Sequence, residues 1–158
     1  RGVGLDEELV WRERPELAGL KEERGTVRGA VWAALVVSDN PAFNRLYDLV
    51  GHAEMQEALR AMGVPQARVV HRLADPRPLA EHRMTRGVER VSGGEVAAAR
   101  RSGAVVARGD EPGVMVGNEH ADPVSGVRVK APLDFSERNA VKLMDLHRVM
   151  MAVARGLS

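Results

Sequence analysis

Three consecutive polar side chains, Ser38, Asp39 and Asn40, lie between an apolar run and a proline in the stretch VVSDNPAFNRLYDLVG. Together they offer a hydroxyl, a carboxylate and an amide at a single turn of the chain. Helix capping explains one of them, because Asn40 at an N-cap accepts a hydrogen bond from an orphan backbone N–H and Pro41 suits the first helical position. Capping leaves the other two side chains unexplained.

The wider pattern resembles a known family. It resembles the second motif of the serine β-lactamase and penicillin-binding-protein superfamily. The residues that carry the resemblance are Ser-Asp-Asn, the proline and small residues after it, Asn44, a leucine and Gly51. The resemblance is strongest to serine hydrolases related to class A β-lactamases, over residues 28–73 and 130–155. It implies acyl transfer from a small-molecule or peptide substrate, of the β-lactam or peptidoglycan type, with no metal and no cofactor.

The resemblance also implies a role for each polar residue. Serine acylation needs a nucleophile, a base and a route for the proton to the leaving nitrogen. By resemblance, Ser38 is that proton shuttle and Asn40 binds the substrate's acylamino carbonyl and the catalytic lysine, so these are the candidate catalytic residues. Asp39 and Asn44 support the site, Asp39 by fixing the turn and Asn44 by positioning a neighbouring loop. Class A enzymes carry a glutamate in that loop, and Glu81 is the candidate here.

Two other motifs of the superfamily are missing from this chain. No serine is followed by lysine at the third position, and Lys-Thr-Gly or a close variant does not occur. We therefore expect residues 1–158 to be a single, partial domain, the middle piece of a longer hydrolase and inactive alone. The resemblance implies a periplasmic or secreted parent enzyme; no signal peptide is visible in this chain.

Apolar residues recur at helical spacing in three neighbouring stretches, which predicts three packed helices. The stretches are VRGAVWAALVVS at 27–38, PAFNRLYDLV at 41–50 and HAEMQEALRAMG at 52–63. The first is apolar on nearly every side and is expected to be buried. Residues 28–63 are thus expected to form a helical core that carries the Ser-Asp-Asn turn.

The rest of the chain is expected to add an insertion and one more helix. Residues 81–129 are interpreted as an insertion with a hairpin around Gly-Asp-Glu-Pro-Gly, in 104–118. Residues 136–155 are predicted to form a closing helix, entered through a serine or asparagine cap. The expected fold class is mostly α with a small β-hairpin, the helical lobe of the β-lactamase/transpeptidase-like α/β fold without its sheet-bearing half.

Composition excludes several classes of function. Basic and acidic residues number 23 and 22, so the net charge is +1, which argues against a nucleic-acid or membrane-surface protein. No apolar run approaches the roughly 20 residues of a membrane span. Cysteine is absent, which excludes disulfides and thiolate metal sites, and the five histidines lack metal-binding spacing.

A different class of function is also consistent with the sequence. Residues 68–101 carry a local excess of arginine, and a non-catalytic helical interaction module would present such a face to an acidic partner. Charge reversal at Arg83, Arg86 and Arg90, or added salt, would then abolish binding.

Self-association is a further expectation. If no sheet covers the helices, apolar side chains such as Val31, Leu35 and Met150 are left exposed on an uncovered helical face. Exposed apolar patches of this kind favour contact between copies of a chain.

Overall fold

The structure is a computed structural model that describes residues 2–17, 19–78, 81–101, 115–122, 125–135 and 138–156. The chain divides into two compact units. Unit 1 comprises Arg1–Gly51 and Arg72–Gly103, and unit 2 comprises His52–His71 and Ala104–Ser158.

Unit 1 contains a four-stranded antiparallel sheet. The strands of the unit are β1 (Glu8–Trp11), β2 (Glu23–Thr26), β3 (Met84–Thr85), β4 (Val88–Arg90), β5 (Glu95–Ala97) and β6 (Arg100–Arg101). The sheet has the order β2-β1-β4-β5, while β3 pairs with β6. Leu9, Trp11, Val88 and Ala97 form its buried cluster.

Two helices complete unit 1, α1 (Val27–Val36) and α2 (Asn40–Val50). The indole N–H of Trp11 on β1 donates to the carbonyl of Arg45 on α2 at 2.9 Å, which ties this helix to the sheet. Gly51 ends α2 with φ of 89°, and its N–H donates to the carbonyl of Tyr47. A positive φ of this kind costs glycine little, so the expected end of this helix is confirmed.

The expected N-cap of α2 is wrong by one residue. Asp39 has an extended backbone and its carboxylate accepts from the N–H of Ala42 at 2.9 Å, whereas Asn40 already lies within the helix. Aspartate and asparagine cap helices about equally well, so residue type alone could not decide between them. The cap assignment leaves the Asn40 amide free of that task.

The expected burial of α1 is also wrong. Ala30 is its only buried residue, and Leu35 is 79% exposed. Because the bulky side chains of Trp32, Leu35 and Val36 are exposed, this helix presents an apolar surface.

The expected fold class, mostly α without a sheet-bearing half, is wrong as well. The structure has a multi-stranded antiparallel sheet, and residues 8–11 and 23–26, which precede the predicted helices, form two of its strands. Strands of two to four residues with charged members, such as ERGT and VER, are too short to show the alternation that identifies strands in a sequence. Pairing between distant segments stabilises them instead.

The described part of unit 2 contains helices α3 (His52–Ala61) and α4 (Leu143–Ala154) and four two-residue strands. The strands are β7 (Met115–Val116), β8 (His120–Ala121), β9 (Arg128–Val129) and β10 (Leu133–Asp134). Strand β7 pairs with β10, and β8 pairs with β9. The expected hairpin turn at Gly-Asp-Glu-Pro-Gly, residues 109–113, lies outside the described residues.

Helix α4 begins later than expected and without a side-chain cap, since its N-cap residue is Lys142. Asn139, a candidate cap in the sequence, has another function. Its carbonyl oxygen accepts from the N–H groups of Val70 and His71, at 2.6 and 3.0 Å, and its amide donates to the carbonyl of His71. This side chain therefore joins two distant backbone segments of unit 2.

Candidate functional site

The Ser-Asp-Asn turn connects α1 to α2 through a left-handed residue. Ser38 has φ of 57°, and the N–H of the following Asp39 donates to the carbonyl of Ala33 at 3.0 Å. The carbonyl of Ala33 also accepts from the N–H of Val37 at 3.2 Å, so one carbonyl holds two residues at the end of α1. A left-handed L-residue costs about 1–2 kcal/mol, and such strain concentrates at functional sites. The Ser38 side chain is exposed.

Asn44 joins α2 to the segment that begins at Arg72. Its amide donates to the carbonyl of Leu73 at 3.0 Å, and the N–H of Leu73 donates to its side-chain oxygen at 2.9 Å. Both backbone polar groups of Leu73 are thus satisfied by one side chain, much as a neighbouring strand would satisfy them. The spacing of four residues places Asn44 one helical turn after Asn40, on the same face of α2.

A cavity of about 290 Å³ lies beside these two asparagines. Asn40 and Asn44 line it from α2, and Leu73, Asp75 and Arg77 are among the residues that line it from the following segment. The structure therefore brings two of the sequence-predicted residues together at one cavity. Ser38, Asp39 and Glu81, the other three, are not among the residues that line it.

Glu81, the candidate loop carboxylate, lies in a turn where its N–H donates to the carbonyl of Pro78 at 2.9 Å. Asp75 is the loop carboxylate that lines the cavity, and sequence analysis missed it. The available signal was the Asp-Pro pair in HRLADPRPL, because an acidic residue before proline is held in an extended conformation at a fixed point of a loop.

The basicity of Asp75 is limited by Arg77. Its carboxylate accepts from the backbone N–H of Arg77 at 3.1 Å and from the guanidinium Nε at 2.8 Å. Burial raises the pKa of Asp75, but these hydrogen bonds outweigh burial and hold that pKa below its usual range. A carboxylate with a lowered pKa is a weaker general base.

A buried charged cluster lies one further turn along α2, at Asp48. Its carboxylate accepts from the guanidinium of Arg72, with Nη1 at 3.2 Å, and from both the backbone N–H and Nε of Arg86, at 3.0 and 2.8 Å. Arg86 also donates to Glu23 at 2.8 Å, and Arg45 donates to Glu23 at 2.9 Å. Sequence analysis missed this cluster because its members are far apart in the chain and belong to no motif.

The described residues contain no group of three or more metal-binding side chains placed to hold an ion. Within the same residues, no helix combines the length and the apolar character needed to cross a membrane.

Comparison with known families supports the superfamily expected from the motif. A model described as the Beta-lactamase enzyme family matches residues 3–107. The matched span includes the Ser-Asp-Asn turn, Asn44, the cavity and the four-stranded sheet. No curated protein and no solved structure matches the chain. The family match extends over well more than half of the sequence, and the chain belongs to the Beta-lactamase enzyme family, which makes it, at that level, a β-lactamase-like hydrolase.

Proposed function

We propose that this chain supplies the Ser-Asp-Asn side of the active site of a serine hydrolase that acts on β-lactams or peptidoglycan-type amides. The observation that carries the proposal is the position of Asn40 and Asn44 on one cavity, in a chain of this family. The substrate class and the residue roles below are part of the proposal.

In the proposed reaction, a serine hydroxyl attacks the substrate carbonyl, the carbon–nitrogen bond breaks, and the hydroxyl proton passes to the leaving nitrogen. Ser38 relays that proton, and its exposed side chain at the left-handed turn supports this role. The Asn40 amide hydrogen-bonds the substrate's acylamino carbonyl and helps to hold the catalytic lysine. Asp39 fixes the turn as the N-cap of α2, and Asn44 positions the segment at Leu73.

The chain alone is proposed to be inactive, because it has neither Ser-x-x-Lys nor Lys-Thr-Gly. In the enzyme we propose, a nucleophile, its lysine base and the Lys-Thr-Gly segment come from residues beyond those printed here. That enzyme acts outside the cytoplasm and requires no metal or cofactor. Loss of basicity at Asp75 through Arg77 supports slow release of the acyl group once it is attached to the serine.

The test begins with the source DNA on both sides of this reading frame. An upstream Ser-x-x-Lys and a downstream Lys-Thr-Gly in frame allow the longer protein to be expressed and incubated with a fluorescent penicillin. We expect covalent labelling of the longer protein and none of residues 1–158. Ser38→Ala should lower the labelling rate constant by about 10²–10⁴-fold, the contribution of a positioned proton-transfer group.

Ser92→Ala is the matched control, because Ser92 is an exposed serine in the turn between β4 and β5. It should label at the unmodified rate. Equal labelling rates for Ser38→Ala and Ser92→Ala would remove Ser38 from the reaction, and a reading frame without the two motifs would remove the hydrolase proposal.

The alternative proposal is a non-catalytic interaction module that uses the arginine-rich segment 68–101. Several of its arginines already have acidic partners: Arg86 is buried against Asp48 and Glu23, and Arg90 donates to Glu7 at 2.6 Å. Reversal of Arg86 would therefore disrupt the fold rather than test binding. Salt-sensitive capture of an acidic peptide, lost in Arg83→Glu, is the result that would favour this alternative.

A further inference from the structure

The two ends of the segment 72–86 both bind the carboxylate of Asp48. Arg72 begins the segment and Arg86 ends it, and the guanidinium of each donates to Asp48. All three side chains are almost completely buried, with exposed fractions of 0–1%. The backbone N–H of Arg86 donates to Asp48 as well, at 3.0 Å, so the backbone itself is fixed at the closing end.

Arg72 also links the two ends of the segment to each other. Its Nη2 donates to the carbonyl of Met84 at 3.0 Å, and its backbone N–H donates to Nδ1 of His82 at 3.0 Å. The guanidinium of Arg72 lies over the ring of Tyr47 on α2, 5.5 Å from its centre. Hydrogen bonds to charged groups in a buried setting are stronger than those between neutral groups.

Between these two anchors lie the residues that form one wall of the cavity. Leu73, Asp75 and Arg77 line the cavity together with Asn40, and Leu73 is held by Asn44. The position of that wall therefore depends on Asn44 at one point and on the Arg72–Asp48–Arg86 contacts at both ends.

We propose that Asp48 is a positioning residue, which holds both ends of the segment 72–86 on α2 and thereby sets the cavity wall relative to Asn40. That the wall serves a substrate rests on the proposed function. The role of Asp48 in fixing the segment does not, and it is tested without catalysis.

The first measurement uses the unmodified chain and amide hydrogen exchange. The N–H groups of Arg86 and Leu73 have side-chain acceptors on α2 and should exchange much more slowly than exposed turn amides such as that of Ser92. Fast exchange at both would overturn the inference, whatever any variant does.

The second measurement compares Asp48→Asn with the unmodified chain. Asparagine keeps the size of the side chain but removes the charge that both arginines require. We expect amide exchange at residues 73–75, at residue 77 and at residues 81–85 to become roughly tenfold to a hundredfold faster, the range for a lost hydrogen bond to a charged group. Strand β1 should keep its exchange rate. Acceleration to the same degree throughout unit 1 would contradict a local role.

Asp6→Asn is the matched control for this variant. Asp6 also binds an arginine through both carboxylate oxygens, Arg28 at 2.6 and 2.9 Å, but the pair is exposed. Its replacement should leave exchange in the segment 72–86 unchanged. If Asp48→Asn does not fold, Arg86→Met removes the guanidinium contact with Asp48 at the closing end and keeps the bond from the backbone N–H. This weaker closing end should accelerate amide exchange at residues 81–85; unchanged exchange there would overturn the inference.

A charge-balanced variant separates positioning from general stability. In Asp48→Asn/Arg72→Met one buried positive charge is removed with the negative one, so the thermal midpoint should recover relative to Asp48→Asn. Exchange at residues 73–75 and at residue 77 should stay as fast as in Asp48→Asn. The NMR signal of the Asn44 side-chain amide should differ from that of the unmodified chain in both variants, because Leu73, its hydrogen-bond partner, is no longer held in place. The inference would be overturned if the exchange rates and the Asn44 signal returned to their unmodified values together with the thermal midpoint. Asp48 would then contribute only to stability.

Discussion

Glu23 is a half-buried carboxylate that links two arginines of unit 1, Arg45 and Arg86. Burial raises its pKa, but the hydrogen bonds from both arginines outweigh burial and leave the pKa lowered. The unfolded chain therefore binds a proton at this carboxyl before the folded chain does as the pH falls. The resulting stabilisation is present above the unfolded pKa, about 4.5, and is lost as the pH drops through the lowered folded pKa.

The lowered pKa of Glu23 leads to a prediction for Glu23→Gln. The variant should be less stable than the unmodified chain at pH 7, and the difference should shrink as the pH falls from about 5 to 3. Urea unfolding midpoints of unit 1 at pH 7, 5 and 3.5 measure it. Glu57→Gln, at an exposed position of α3, is the control, and a difference at Glu23 that grows on acidification would contradict the assignment.

Some residues of the site could be predicted from the sequence and others could not. The Ser-Asp-Asn pattern and its spacing to Asn44 identified two residues that line the cavity, since four residues make one helical turn. Asp48, Arg72 and Arg86 were not predicted, because their contacts span 24 and 38 positions of the chain and depend on how the segment folds back onto α2.

At the scale of elements, the two polar residues that begin α2 have separate tasks, and stability can distinguish them. Asp39→Ala removes the side-chain oxygen that accepts from Ala42, so we expect a loss of about 1 kcal/mol in the free energy of unfolding. Asn40→Ala should cost less than about 0.5 kcal/mol, because Asn40 does not cap the helix. Urea unfolding of the two variants measures this, and a larger loss for Asn40→Ala would restore Asn40 as the cap.

Helices were predictable from sequence where strands were not, for a physical reason. Helix α2 is stabilised by local features that are visible in the sequence: apolar spacing, a polar cap and a glycine end. Strands β1 and β4 are stabilised by pairing with each other across almost 80 residues. No local pattern of two to four residues can indicate such a partner, so the sheet was missed and the fold class was wrong.

At the scale of the whole molecule, the apolar surface of α1 leads to a prediction about association. Trp32, Leu35 and Val36 are 59%, 79% and 66% exposed on consecutive turns of one helix. We expect the chain to self-associate reversibly, because contact between copies removes this surface from water. Sedimentation velocity over a hundredfold range of concentration should show a rising average mass.

Leu35→Lys should shift that association to higher concentration. Val91→Lys, at an exposed valine beyond the end of β4, is the control and should leave it unchanged. A mass that does not depend on concentration would mean that the exposed face of α1 does not mediate contact between copies.

The left-handed backbone at Ser38 has a consequence for how this protein can evolve. Glycine would adopt the same conformation without strain, so selection for thermal resistance alone should favour Ser38→Gly. The proton relay that we propose for the Ser38 hydroxyl would be lost in that replacement. Under the proposed function, position 38 therefore trades thermal stability against activity, and laboratory evolution for heat tolerance without an activity screen should replace this serine early.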